Sequence, residues 1–226
     1  LNRSLRMTQT DSLPAAHSAQ LDAICRPAGV IPVLAIQRLE DAVPLGRALV
    51  EGGLTVLEVT LRTACALEAV RRLKEALPQA TVGVGTVLTP EQYCASEQAG
   101  ADFVVTPGTT EALYRHGVTS TVPLLPGVAT LTEVLNGWQH GYRCFKFFPA
   151  EASGGVMSLK AFAGPLPEAR FCPTGGINLD NAGGYLALNN VMCVGGSWLT
   201  PKALVDAQDW NGIRQLARET MQRFSR

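Results

Sequence analysis

Lys146 stands inside an apolar, aromatic-rich run, Cys144-Phe145-Lys146-Phe147-Phe148-Pro149, that reads as a β-strand. Burial disfavours the ammonium form of a lysine, and a neutral amine is a nucleophile toward carbonyls. The chemistry this placement suggests is imine formation. The plainer alternative is an edge-strand lysine whose stem packs while its head reaches water. A second strand-like run, Thr55-Val56-Leu57-Glu58-Val59-Thr60-Leu61-Arg62, alternates in the same way. Side chains alternate faces along a strand, so Leu57, Val59 and Leu61 share the apolar face while Glu58, Thr60 and Arg62 share the other. A carboxylate and a guanidinium on one inward face fit a general acid/base (Glu58) beside an anion-binding group (Arg62). A structural ion pair filling an interior layer is the alternative. By the same parity Phe145 and Phe147 point outward, and Lys146 and Phe148 inward. The chain has four lysines; Lys74, Lys160 and Lys202 fall in helical or post-strand segments where solvation is expected, so an imine would form on Lys146.

Glycines mark the places where an anion could approach backbone. The runs Pro173-Thr174-Gly175-Gly176 and Val194-Gly195-Gly196-Ser197 each follow a strand-like segment. Two such glycine pairs after the last two strands of a barrel suggest a phosphate held by backbone N–H groups, with Ser197 adding a hydroxyl. Gly83-Val84-Gly85-Thr86 lacks the third glycine of a nucleotide fingerprint and is a weak signal for one. Thr86 would put a hydroxyl at the pocket mouth or serve as a helix cap. Pro107 and Thr174 are further candidates for the pocket wall.

These residues need a scaffold that gathers strand ends. Short β-rich runs are predicted at 31–36, 55–61, 81–86, 103–106, 121–125, 144–148, 170–174 and 191–194. Helices are predicted between them at 39–51, 64–77, 90–99, 110–116, 131–139, 156–163, 181–188 and 201–206, with 210–224 closing the chain and 18–25 opening it. Eight strand–helix units imply an α/β fold, a closed (β/α)8 TIM barrel with an N-terminal helix and an extra C-terminal helix. A doubly wound sheet would carry a glycine fingerprint after its first strand, where this chain has Gln37-Arg38-Leu39. Residues 18–226 read as one barrel domain, and residues 1–17 as a flexible segment.

The chain has 226 residues, 46% of them hydrophobic, enough for one sizeable core, and its formal net charge is zero. With no basic stripe, nucleic acid and anionic membranes are not expected partners. The six cysteines form no C-x-x-C pair, which argues against a zinc or thioredoxin-type motif. Their wide spacing, without a signal-peptide core, points to the reducing cytoplasm. His17, His116 and His140 show no ligand spacing and are expected in solvated or capping roles. No metal and no cofactor are expected.

Taken together, Leu57-Glu58-Val59-Thr60-Leu61-Arg62-Thr63, Gly85-Thr86-Val87-Leu88, Phe145-Lys146-Phe147-Phe148-Pro149-Ala150-Glu151, Arg170 to Ile177 and Gly195-Gly196-Ser197-Trp198 closely resemble the 2-keto-3-deoxy-6-phosphogluconate (KDPG) and 4-hydroxy-2-oxoglutarate aldolase family. The resemblance runs from about residue 20 to about residue 220. It implies a metal-free class I aldolase, usually a homotrimer. It implies imine formation on Lys146 and proton handling by Glu58. Arg62 and Thr86 would contact the pyruvyl part, Phe148 would line the pocket, and Gly175, Gly176, Gly196 and Ser197 would hold phosphate. The implied substrate is a small phosphorylated keto acid, KDPG, cleaved to pyruvate and D-glyceraldehyde 3-phosphate, with 4-hydroxy-2-oxoglutarate as a side substrate. Alternatives are the galactonate epimer, 4-hydroxy-2-oxoglutarate as main substrate, a metal-dependent barrel lyase or epimerase, and a non-catalytic phosphate-binding barrel.

Overall fold

The computed structural model describes residues 13–224. Among the described residues nine strands run parallel in two sheets. The larger contains β1 (Val30–Leu34), β2 (Val56–Thr60), β3 (Thr81–Gly85), β4 (Phe103–Val105), β5 (Leu124–Leu125) and β9 (Val194–Gly196), in the order β5-β4-β3-β2-β1-β9. The smaller is β6 (Gly127–Val128), β7 (Cys144–Phe147) and β8 (Arg170–Pro173). Of the predicted strand at 121–125 only Leu124–Leu125 forms a ladder, as β5, and a further short piece, β6, follows Pro126. Proline has no N–H to give a ladder, but its carbonyl still accepts from Lys146 N at 2.9 Å. Parallel bridges Phe171↔Val191 and Thr174↔Gly195 join the smaller sheet to the segment holding β9. The result is an α/β fold with a parallel sheet that curls on itself.

Helices cover the outside: α2 (Ala42–Glu51), α3 (Ala66–Ala76), α4 (Pro90–Gln98), α5 (Glu111–Gly117), α6 (Leu131–Gln139), α7 (Gly155–Ala163), α8 (Ala182–Leu186), α9 (Lys202–Asp206) and α10 (Trp210–Phe224). Their starts are written in the sequence. Thr89, Thr110 and Thr130 accept from backbone N–H groups of the first turn, and Thr130 with Glu133 forms a complete capping box. Leu57, Val59, Phe145 and Phe147 join the outer core with helical residues such as Leu45, Leu73 and Phe162, as strand parity requires. The opposite face builds a separate inner core of Ile31, Val56, Phe103, Val105, Leu125, Cys144, Cys172 and Cys193.

The opening helix α1 (Leu13–Ala28) seals that inner core with Leu21 and Cys25. It starts earlier than the predicted 18–25, so residues 13–17 are helical; the rest of the expected flexible segment, 1–12, lies outside the described residues. Ser18 ties α1 to the lysine-bearing strand: its Oγ accepts from Arg143 N at 3.0 Å, and its carbonyl from Cys144 Sγ at 3.3 Å. His17 is not solvated as expected but 3% exposed. The eighth predicted strand also shifts. Val194, Gly195 and Gly196 pair with Val30, Ile31 and Pro32, so this glycine pair lies inside a strand rather than in the loop after it.

Candidate active site

Lys146 and Glu58 meet on the inner side of the sheet. β1 to β3 set Glu58 between Val33 and Gly83, and β6 to β8 set Lys146 between Gly127 and Cys172. Lys146 Nζ lies 3.0 Å from Glu58 Oε1. The residues are 4% and 3% exposed, so the edge-strand alternative for the lysine does not hold. A buried charge without a partner is strongly destabilising, and each group here supplies the other's partner. The glycine of β3 makes the room: a Cβ on Gly85 would fall 2.0 Å from Glu58 Oε1. The Phe148 ring, at the end of the same segment as Lys146, has its centroid 5.4 Å from Nζ.

Around this pair the expected residues take up distinct positions. Arg62 is exposed in the turn just past β2. It lines a cleft of about 600 Å³ with Val33, Thr60, Gln37, Ser197 and Lys202. Lys146 and Glu58 are not on the cleft wall, although Val33 pairs with Glu58 across the sheet and Thr60 lies two residues beyond it. The cleft therefore sits beside the lysine–glutamate pair and presents the Arg62 guanidinium, while its Lys202 is paired with Asp206. At its far wall burial pulls the Asp41 carboxyl upward, but bonds from Arg38 and Gln208 outweigh this and hold it below the usual carboxylate range.

Thr86 follows β3 with φ of 61°, a left-handed backbone that is unusual for a β-branched residue. It does not cap the next helix; Thr89 does. Backbone strain of this kind collects at functional sites. Gly175 and Gly176 are also left-handed, at φ of 102° and 78°. The Gly175 carbonyl accepts from Glu151 N at 3.1 Å and the Gly176 carbonyl from Asn181 Nδ2 at 3.0 Å, which ties the loop to the segment after β7 and to the start of α8. A helix dipole adds little here, since α8 is only five residues long. Gly196 faces the Trp198 ring, and Ser197 is exposed at the cleft. Thr174 is buried against Gly195, whose missing Cβ makes room for its hydroxyl. Pro107 is half-buried in the turn after β4.

Other residues at the site had no role assigned from sequence. The Thr60 hydroxyl donates to Leu34 O at 2.8 Å and lines the cleft. Thr106 is fully buried; its Oγ1 accepts from Gly127 N at 2.9 Å and pairs with Thr109 Oγ1. Glu151 accepts from the Tyr185 hydroxyl, joining the segment after β7 to α8. Burial, and then the adjacent Glu151 carboxylate, push the Tyr185 phenol up. Alternation placed Thr60 on the inward face without giving it a role, but the Thr106 contact to Gly127 and the Glu151 contact to Tyr185 cross between segments.

The KDPG and KHG aldolase family model matches residues 21–216. The chain is 54% identical over 208 residues to the 2-dehydro-3-deoxy-phosphogluconate aldolase of Pseudomonas aeruginosa, covering 92% of this chain and 94% of that protein. It is 50% identical over 193 residues to the KHG/KDPG aldolase of Escherichia coli strain K12, covering 85% and 91%. Among solved structures it is similar to the KDPG aldolase of Legionella pneumophila, captured with pyruvate as a covalent carbinolamine, with a TM-score of 0.86 and 47% identity over 88% of this chain and 97% of that one. The Zymomonas mobilis KDPG aldolase with 3-phosphoglycerate also gives 0.86, at 46% identity over 90% and 95%. With its glutamate–lysine pair beside an arginine-lined cleft, the chain belongs to the KDPG and KHG aldolase family.

Proposed function

We propose that this protein is a class I aldolase that cleaves 2-keto-3-deoxy-6-phosphogluconate to pyruvate and D-glyceraldehyde 3-phosphate, and acts secondarily on 4-hydroxy-2-oxoglutarate. The buried contact of 3.0 Å between Lys146 Nζ and Glu58 Oε1 carries this reading. The Lys146 amine adds to the C2 ketone to give a carbinolamine, which loses water to a protonated imine. That imine is the electron sink, so the reaction needs neither metal nor cofactor. Glu58, directly or through water, takes the C4 hydroxyl proton. The C3–C4 bond breaks, its electron pair enters the imine to form an enamine, and the aldehyde leaves. Protonation at C3 and hydrolysis release pyruvate and regenerate Lys146.

Arg62 pairs with the substrate carboxylate through charge-assisted hydrogen bonds. Thr86 and Phe148 frame the pyruvyl part. Gly175, Gly176, Gly196 and Ser197 take the phosphate, while Thr174 and Pro107 complete the wall. The bridges that join the two sheets support a closed (β/α)8 barrel as the scaffold. A cytoplasmic homotrimer completes the proposal; no helix among the described residues is long and apolar enough to cross a membrane.

Incubation with pyruvate and borohydride, followed by mass spectrometry, tests the reading directly. One reduced pyruvyl adduct on Lys146 is expected. No adduct would sink it and leave the phosphate-binding barrel, and an adduct on another lysine would remove Lys146 from imine formation.

A further inference from the structure

Away from the aldolase site, Cys94, Glu97 and His116 bring one ligand atom each to within 4.8 Å of one another. Cys94 and Glu97 are three residues apart on α4, so they share a face of that helix. His116 reaches them from the end of α5, and all three side chains are half-buried. His116 Nε2 lies 3.8 Å from Cys94 Sγ and 3.8 Å from Glu97 Oε2. The second separation is too long for an ordinary N–H···O bond. Both are close to the edges of a tetrahedral Zn²⁺ site, about 3.4–3.6 Å for Zn–S near 2.3 Å and Zn–N or Zn–O near 2.0 Å.

The surroundings already orient the ligands. Glu97 uses Oε1 to accept from the Ser120 hydroxyl, which leaves Oε2 facing His116. The Tyr93 ring packs on the imidazole with centroids 4.6 Å apart. Outer contacts of this kind fix the direction of metal ligands. We propose that Cys94, Glu97 and His116 form a binding site for a borderline-soft divalent cation, Zn²⁺ by its mixed sulfur, nitrogen and oxygen donors, with water as fourth ligand. Binding releases the Cys94 thiol proton to solvent and forms a Zn–S bond with no redox change. Both helices run back from the strand ends that carry Thr86 and Pro107, and Ser120 leads into β5. The ion clamps the outer layer at the end opposite the aldolase chemistry.

The test uses the whole protein and Zn²⁺ alone. After gel filtration one zinc per chain is expected in the wild type, and none in Cys94→Ser or His116→Ala, each with its aldolase activity retained. Co²⁺ should give a thiolate-to-cobalt charge-transfer band that Cys94→Ser abolishes. Wild-type thiol labelling keeps the test open if either variant folds poorly. Zinc at ten times its Kd should slow modification of Cys94 about tenfold while leaving half-buried Cys65 unchanged. Substoichiometric zinc, binding that survives both substitutions, or an unchanged Cys94 labelling rate would overturn the site and leave a helix-to-helix ion pair.

Discussion

At the scale of single residues the proposed reaction turns on the Lys146–Glu58 contact and on Gly85 beside it. Glu58→Gln keeps the shape but removes the base. A general base contributes about 10²–10⁴ in rate, so turnover should fall by that order while borohydride still traps the imine. Undiminished turnover would remove Glu58 from proton transfer. Gly85→Ala reaches the same carboxylate without changing it. The new Cβ would fall 2.0 Å from Oε1 and 2.8 Å from Cγ of a side chain that is almost fully buried, so Glu58 must leave its place. Small displacements of a catalytic group cost about 10² in rate, and we expect a kcat loss of that size, measured in the aldehyde-release direction. Arg62 is different because it is exposed past the strand end. Arg62→Ala should leave thermal stability unchanged and raise KM about 10–100-fold, the worth of a charge-assisted hydrogen bond.

At the scale of elements, the glycine loop after β8, proposed above to take the phosphate, offers a way to separate phosphate binding from bond cleavage. Gly176→Ala imposes a left-handed backbone on an L residue, at about 1–2 kcal/mol. It also drives a Cβ to 2.6 Å from Glu151 Cγ. We expect kcat/KM for the phosphorylated substrate to fall far more than kcat/KM for 4-hydroxy-2-oxoglutarate, which has no phosphate. Equal losses would show that the loop acts only through folding. This loop was legible in sequence because Gly175-Gly176 ends a clear strand. Lys146 and Glu58 were legible because strand parity is a strict period of two. The second glycine pair was misplaced for a physical reason. Gly195 and Gly196 are disfavoured in strands, yet Gly195 packs where Thr174 needs space, and that neighbour is fixed only by the curled sheet. The cross-helix group of Cys94, Glu97 and His116 was hidden likewise, since short spacing within one segment does not report contacts between segments.

At the scale of the molecule, α1 closes the inner core and is tied through Ser18 to the strand bearing Lys146. Its buried face includes His17, Ser18, Leu21 and Cys25. Burial pushes the His17 imidazole below its ordinary value of 6.5, and the Ser120 backbone offsets this only in part. Neither ring nitrogen has a partner at hydrogen-bond geometry, so the folded protein holds the ring neutral without compensation for a charge. The sign follows from linkage. Above pH 6.5 the ring is neutral in both folded and unfolded chains and contributes no pH dependence. As pH falls below that value the unfolded chain takes up the proton first, and stability is lost until the folded pKa is passed. Thermal melts between about pH 5 and 8 should therefore show a falling Tm on the acid side, and His17→Leu should flatten that slope relative to its own alkaline plateau. The same variant should keep its imine yield at neutral pH, because His17 touches α1 packing and not the lysine. An acid slope identical in the variant would assign the loss to carboxylates elsewhere in the chain.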